Sequence, residues 1–78
     1  MSAIHWQCRR GMLELDVILE RFLTYRYPQL SPKLQHDFTQ LLALEDPVLF
    51  DWLVADVPCE YPQFSTIVKE IRARAWGK

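Results

Sequence analysis

The chain has 78 residues, half of them hydrophobic, with nine Lys and Arg against ten Asp and Glu for a formal charge of −1. That length suits one compact domain spanning residues 1–78, which buries only about 60% of its unfolded surface and leaves little room for a deep cofactor cleft. The balanced charge provides no global field to draw the protein to nucleic acid or an anionic membrane, so electrostatic recognition must be local.

Two glycines and five prolines, the prolines lying outside the periodic runs, suit helices joined by short connections. The N-terminus lacks the apolar stretch and small-residue cleavage site of a secretory signal, so a cytoplasmic protein is expected. No run approaches the roughly 18 apolar residues of a membrane span, and no membrane insertion is expected. Cys8 and Cys59 have no C-x-x-C spacing, which argues against a disulfide framework and predicts two reduced thiols.

In chain order, Ile4 to Arg10 reads as a brief first helix closed by Gly11, a residue free to take the left-handed conformation. From Met12, residues Leu15, Ile18, Leu19, Phe22 and Leu23 follow helical spacing, with Asp16, Glu20 and Thr24 on the other side. This second helix reaches about Tyr27, and Pro28 stops it. Ser31-Pro32 is a cap followed by a proline at the first helical position. The third helix has the apolar face Leu34, Phe38, Leu41 and Leu42 and runs to about Leu44. Asp46-Pro47 repeats the device.

The fourth segment, Val48 to Ala55, is apolar on nearly all sides and predicts a central helix ending near Val57. After a turn bracketed by Pro58 and Pro62, Phe64, Ile67, Val68, Ile71 and Ala75 mark a last helix. Its cations Lys69, Arg72 and Arg74 favour the negative helix end. No alternating β-branched run is present. The expected fold is an all-α, compact single-domain bundle of about five short helices.

The candidate chemistry is sparse. His5 and Cys8 with His36 and Cys59 would supply four zinc ligands, but structural zinc brings closely spaced pairs and only one such pair exists; ordinary helix residues are the expected reading. Neither thiol has a base that the sequence identifies, and no phosphate-cradling glycine loop is present, so no catalytic residue and no tightly bound cofactor is expected. Of the tryptophans Trp6, Trp52 and Trp76, Trp52 reads as core because its neighbours are apolar, whereas Trp6 is open between packing and partner contact. Tyr25, Arg26 and Tyr27 would stack on bases only if a basic track extended from them, and none does; a solvated helix end is expected.

The segment Arg9-Arg10-Gly11-Met12-Leu13-Glu14 is different in kind. It places two guanidiniums, a flexible glycine and a carboxylate at a helix junction, a donor fork beside an acceptor. Glu14 and Asp16 also suit the positive end of the second helix, so for Glu14 capping and recognition stand level. Trp6, Arg9, Arg10, Gly11, Glu14 and Asp16 are the candidate partner-binding residues.

The string from Ile4 to Asp16, IHWQCRRGMLELD, resembles the SdhE family, also called YgfY, small FAD assembly factors for succinate dehydrogenase. The stretch Leu41 to Leu53, LLALEDPVLFDWL, looks like that family's other signature, an Asp-Pro pair ahead of Leu-Phe-Asp-Trp-Leu. The resemblance implies a five-helix, non-catalytic, monomeric factor that docks on the flavoprotein subunit of succinate dehydrogenase, and of fumarate reductase in some bacteria. There it would promote covalent attachment of FAD by the client's own histidine, FAD being the client's cofactor. The R-G-x-x-E motif falls on Arg10, Gly11 and Glu14. The implied roles are a charge-assisted Arg10 contact to the client, close backbone approach at Gly11, and a Glu14 acceptor. Val48 stands where relatives commonly carry an acid, and Leu13 at a motif position that can be basic. A regulatory module of antitoxin type acting on a different protein would carry the same signature.

Overall fold

The computed structural model describes residues 3–73, without the side chains of Ala3 and His5. The expectations for Arg74, Ala75, Trp76 and the His5 side chain lie outside the described residues. Among the described residues five α-helices follow one another: α1 Ala3–Gln7, α2 Leu13–Tyr25, α3 Pro32–Leu41, α4 Asp46–Leu53 and α5 Pro62–Ala73, with a 3-10 turn, Tyr27–Gln29, between α2 and α3. No strand occurs among the described residues, and the all-α expectation holds.

The helix boundaries show which local signals governed. Ser31 caps α3 as expected, its hydroxyl accepting from Leu34 N–H at 3.3 Å. Gly11 takes φ +81°, the expected left-handed conformation, but it turns the chain between α1 and α2 and does not close α1, which has already ended at Gln7. Pro28 ends α2 by a softer route than a break. The chain tightens into the 3-10 turn, where an early proline forfeits no bond.

Several boundaries differ from expectation: α1 ends at Gln7 instead of Arg10, and α2 at Tyr25 instead of about Tyr27. The chain leaves α3 at Leu41, not Leu44, because Ala43 N–H and Leu44 N–H bond the carbonyls three residues back, at 3.1 and 3.0 Å. The cap of α4 is Glu45, with Asp46 already in the first turn and Pro47 behind it. The fourth helix also stops at Leu53 instead of near Val57. Asp56 turns the chain at φ +59°, and Arg72 of α5 holds it there, through Nη2 to the Asp56 carbonyl at 3.2 Å and Nε to its carboxylate at 3.5 Å.

The core is apolar. From α2 it takes Leu15, Leu19, Phe22 and Leu23; from α3 Phe38 and Leu41; from α4 Leu49, Trp52 and Leu53; from α5 Phe64, Ile67, Val68 and Ile71. These are the expected stripes, and they join in one cluster. Phe22 and Phe38 meet with ring centroids 5.2 Å apart, and Tyr27 closes on Phe38 at 5.5 Å. α4 packs against α2 and α5, but α5 meets α2, α3 and α4, so the central position expected of α4 falls to α5. Trp52 is buried, its ring edge-on to Tyr61 at 5.5 Å and 6.1 Å from Phe64.

Cys8 belongs to this core. It is fully buried against α2, its Sγ 4.0 Å from the Leu19 carbonyl. Burial pushes the thiol up from 9.0 to about 11, partly opposed by the Arg10 charge. Because the folded state holds this proton more tightly than the unfolded chain does, the associated stability is fully present below pH 9. It is lost as pH rises from 9 to about 11, by at most roughly 3 kcal/mol. Urea titrations at pH 8 and pH 11 should show a fall that Cys8→Ala removes. In the native protein, iodoacetamide should label the half-buried Cys59 and leave Cys8 untouched; equal labelling of both would contradict the burial.

Candidate partner-binding surface

The segment between α1 and α2 is fixed from two directions. After Arg9 N–H bonds the Trp6 carbonyl at 3.0 Å, the next two amides leave the helix for one carboxylate. Arg10 N–H donates to Asp16 Oδ1 at 2.7 Å and Gly11 N–H to Asp16 Oδ2 at 3.2 Å. Asp16 therefore faces inward onto the turn as a backbone anchor, a charge-assisted pair of bonds from within the first turn of α2.

The two arginines part company here. Arg9 points outward and pairs with Glu20 at 2.9 Å, both side chains well exposed, so the pair adds little stability. Arg10 points inward, its side chain only 15% exposed. Its Nη1 donates to the Leu44 carbonyl and to Asp46 Oδ1, both at 3.3 Å, its Nη2 donates to the Leu42 carbonyl, and its Nε is buried without a hydrogen-bond partner. The guanidinium fork thus occupies the α3–α4 turn, satisfying carbonyls that the end of a helix leaves over. The expectation that Arg10 offers its donors outward does not match this placement, because they are already committed to the turn.

What does face outward is Gly11, Leu13, Glu14, Val17 and Trp6. Trp6 is 65% exposed, Leu13 80% and Val17 43%. Leu13, Glu14, Val17 and Ile18 line an open hollow of about 390 Å³ on the N-terminal half of α2. Glu14 is exposed with no hydrogen bond or ion pair among the described residues. Capping does not use it: no side chain caps α2, and Asp16 instead takes the two amides ahead of the helix. A carboxylate set among exposed apolar side chains suits a partner presenting a cation within an apolar surround.

Sequence reasoning had not singled out Leu13 and Val17 as contact residues. The available signal was their position, one turn apart and outside the stripe of Leu15, Leu19 and Phe22. The remaining candidates disperse. His36 is exposed on α3, Cys8 buried and Cys59 half-buried, and no group of three or more ligating side chains forms among the described residues. In the Tyr25–Tyr27 cluster, Arg26 pairs with Glu70 at 3.1 Å and Tyr27 packs on Phe38. No described helix is long and apolar enough to cross a membrane.

Fold and surface together define a small all-helical module that presents one preformed turn and one shallow apolar hollow. The chain belongs to the family described as the flavinator of succinate dehydrogenase, whose family model matches residues 2–75. It is 45% identical over 69 residues to the FAD assembly factor SdhE of Coxiella burnetii, covering 88% of this chain and 84% of that protein. It is 40% identical over 75 residues to the FAD assembly factor SdhE of Shewanella oneidensis, covering 96% and 92%. To the same-named protein of Colwellia psychrerythraea it is 42% identical over 73 residues, covering 94% and 80%. The resemblance carried by IHWQCRRGMLELD and LLALEDPVLFDWL is thereby established as family membership.

Proposed function

We propose that this chain is a cytoplasmic, non-catalytic assembly factor that binds the flavoprotein subunit of succinate dehydrogenase and promotes its covalent flavinylation with FAD. Fumarate reductase flavoprotein is a second client of the same kind. The observation that carries this reading is the outward Gly11–Glu14 turn in a chain of the flavinator family: a preformed contact surface within the matched residues. In this reading the factor binds one conformer of the client more tightly than others and raises its occupancy in proportion to that preference. The client's own histidine then bonds to the flavin. FAD stays with the client, and the factor supplies Trp6, Arg9, Gly11 and Glu14 as contacts, with Leu13 and Val17 as their apolar surround.

Gly11 contributes in two ways. Its left-handed backbone makes the turn, and a Cβ at this position would meet nothing within 4 Å, so the space in front of it is open to a partner backbone. Arg9 can exchange its exposed Glu20 for a client acceptor at small cost.

The deciding experiment is co-expression with the flavoprotein subunit, reading flavin fluorescence that survives denaturation. The factor should raise it. No rise over the flavoprotein alone would return the chain to a module acting on a different protein. Leu13→Asp supplies the surface test: at so exposed a position the melting temperature should move by only a few degrees, while client affinity falls by more than about fivefold. Unchanged affinity would remove the hollow from the docking surface.

A further inference from the structure

The geometry points to Arg10 as a positioning residue that acts on the client only through the turn it holds, and never by touching it. This rests on the flavinylation reading and changes the part the motif arginine plays in it. Four observations converge. The guanidinium is mostly enclosed, and both terminal nitrogens are spent on Leu42, Leu44 and Asp46. Swinging it out to a client would leave two turn carbonyls and the Asp46 carboxylate without their donor, so the exchange offers no net hydrogen bond. Arg9, one residue away, already places a guanidinium on the outside. Finally, the backbone of the same residue is held from the opposite side by Asp16, which also takes Gly11 N–H.

Arg10 is therefore gripped at both ends, and Gly11 beside it, a residue that alone would sample many conformations, is held in one of them. The clamp joins the first family signature to the second: the Gly11 turn is fixed relative to the α3–α4 turn that opens onto Asp46-Pro47. Its functional product is preorganisation. A turn already in its docking conformation loses little conformational entropy when the client arrives, and affinity gains accordingly.

If the clamp acts this way, Asp46, which lies across the turn from the Gly11 surface, should matter for client binding as Arg10 does, and through the same bond. The test is a double-mutant cycle on affinity for the purified flavoprotein subunit. It is measured at a temperature where circular dichroism shows every variant folded, using Arg10→Met, Asp46→Ala and the pair. Each single change should weaken binding about tenfold, and the pair should be no worse than Arg10→Met to within about twofold, the signature of two residues serving one interaction. Excess Arg10→Met factor should restore the wild-type flavinylation rate, and the Gly11 amide resonance should move in both single variants before any client is added. Should Arg10→Met fail to fold, Arg10→Lys, which keeps the charge but loses the fork, takes its place with the same expectation.

Asp46→Ala binding as wild type does while Arg10→Met is weakened would put the guanidinium on the client and overturn the inference. So would unchanged affinity in both variants alongside lowered melting temperatures, which would leave the clamp a purely structural one. A wild type that does not bind the flavoprotein overturns the flavinylation reading itself, so the two failures are told apart by which protein fails.

Discussion

Gly11→Arg should abolish flavinylation of a co-expressed flavoprotein while the purified variant still folds. Two effects combine at this position. A side chain at φ +81° carries the left-handed penalty, about 1–2 kcal/mol, which for a domain of this size lowers the melting temperature by roughly 5–15 °C. That cost is a fraction of a typical domain stability of about 5–15 kcal/mol, so most of the protein remains folded at moderate temperature. The larger effect is on docking, because the space in front of Gly11 is empty in the free protein and an arginine would occupy it. Gly11→Asn separates the two, since asparagine tolerates the left-handed region and adds less bulk. It should retain more stability than Gly11→Ala and show intermediate flavinylation. A Gly11→Arg factor that supports normal flavinylation would remove the turn from the interface.

Trp52→Ala should be the most destabilising of the substitutions considered. The indole is buried in the last turn of α4, against Tyr61 and Phe64, and removing it leaves a cavity that the short helices around it cannot close. The expected cost is about 3–5 kcal/mol, equivalent to a fall in melting temperature of roughly 15–30 °C. A thermal melt followed by circular dichroism measures it. Any loss of flavinylation by this variant should follow its unfolded fraction, with activity recovering on cooling; an unchanged melt would contradict the burial. The two substitutions form a pair: one spares the fold and removes function, the other removes function by removing the fold.

Much of the architecture was legible because it rests on local chemistry. Ser31 and Pro32 start α3 through a cap that needs only its own neighbours, and the α2 stripe from Leu15 to Leu23 follows from helical period alone. The left-handed turn at Gly11 was also readable, because glycine takes that conformation freely, but the end of α1 at Gln7, short of Arg10, was not. The misplaced ends of α3 and α4 share a different cause. Leu42 and Leu44 lend their carbonyls to a guanidinium more than thirty residues earlier, and Asp56 is held by Arg72 sixteen residues later; neither partner is visible in the local string.

The candidate surface divides along the same line. That residues 9–14 lie at a helix junction was legible from the pattern. Which of them face outward was not, because exposure is a property of the packed molecule. Two adjacent arginines look alike in sequence and have opposite orientations in the fold. Asp16 and Glu14, two acids on the same first turn, divide in the same way, one anchoring the backbone and the other left without a partner among the described residues.

The Arg10 fork also bears on why the chain adopts one arrangement of its helices. Apolar side chains supply cohesion but discriminate weakly among ways of stacking short rods, and volume-conserving rearrangements of such a core cost little. A planar group that must find the oxygens of Leu42, Leu44 and Asp46 together is far less tolerant. A helix slid by one turn or rotated about its axis would bury that charge without them. In this small domain the hydrophobic cluster sets how strongly the chain collapses, and one charged side chain near its edge sets which collapsed form is the native one.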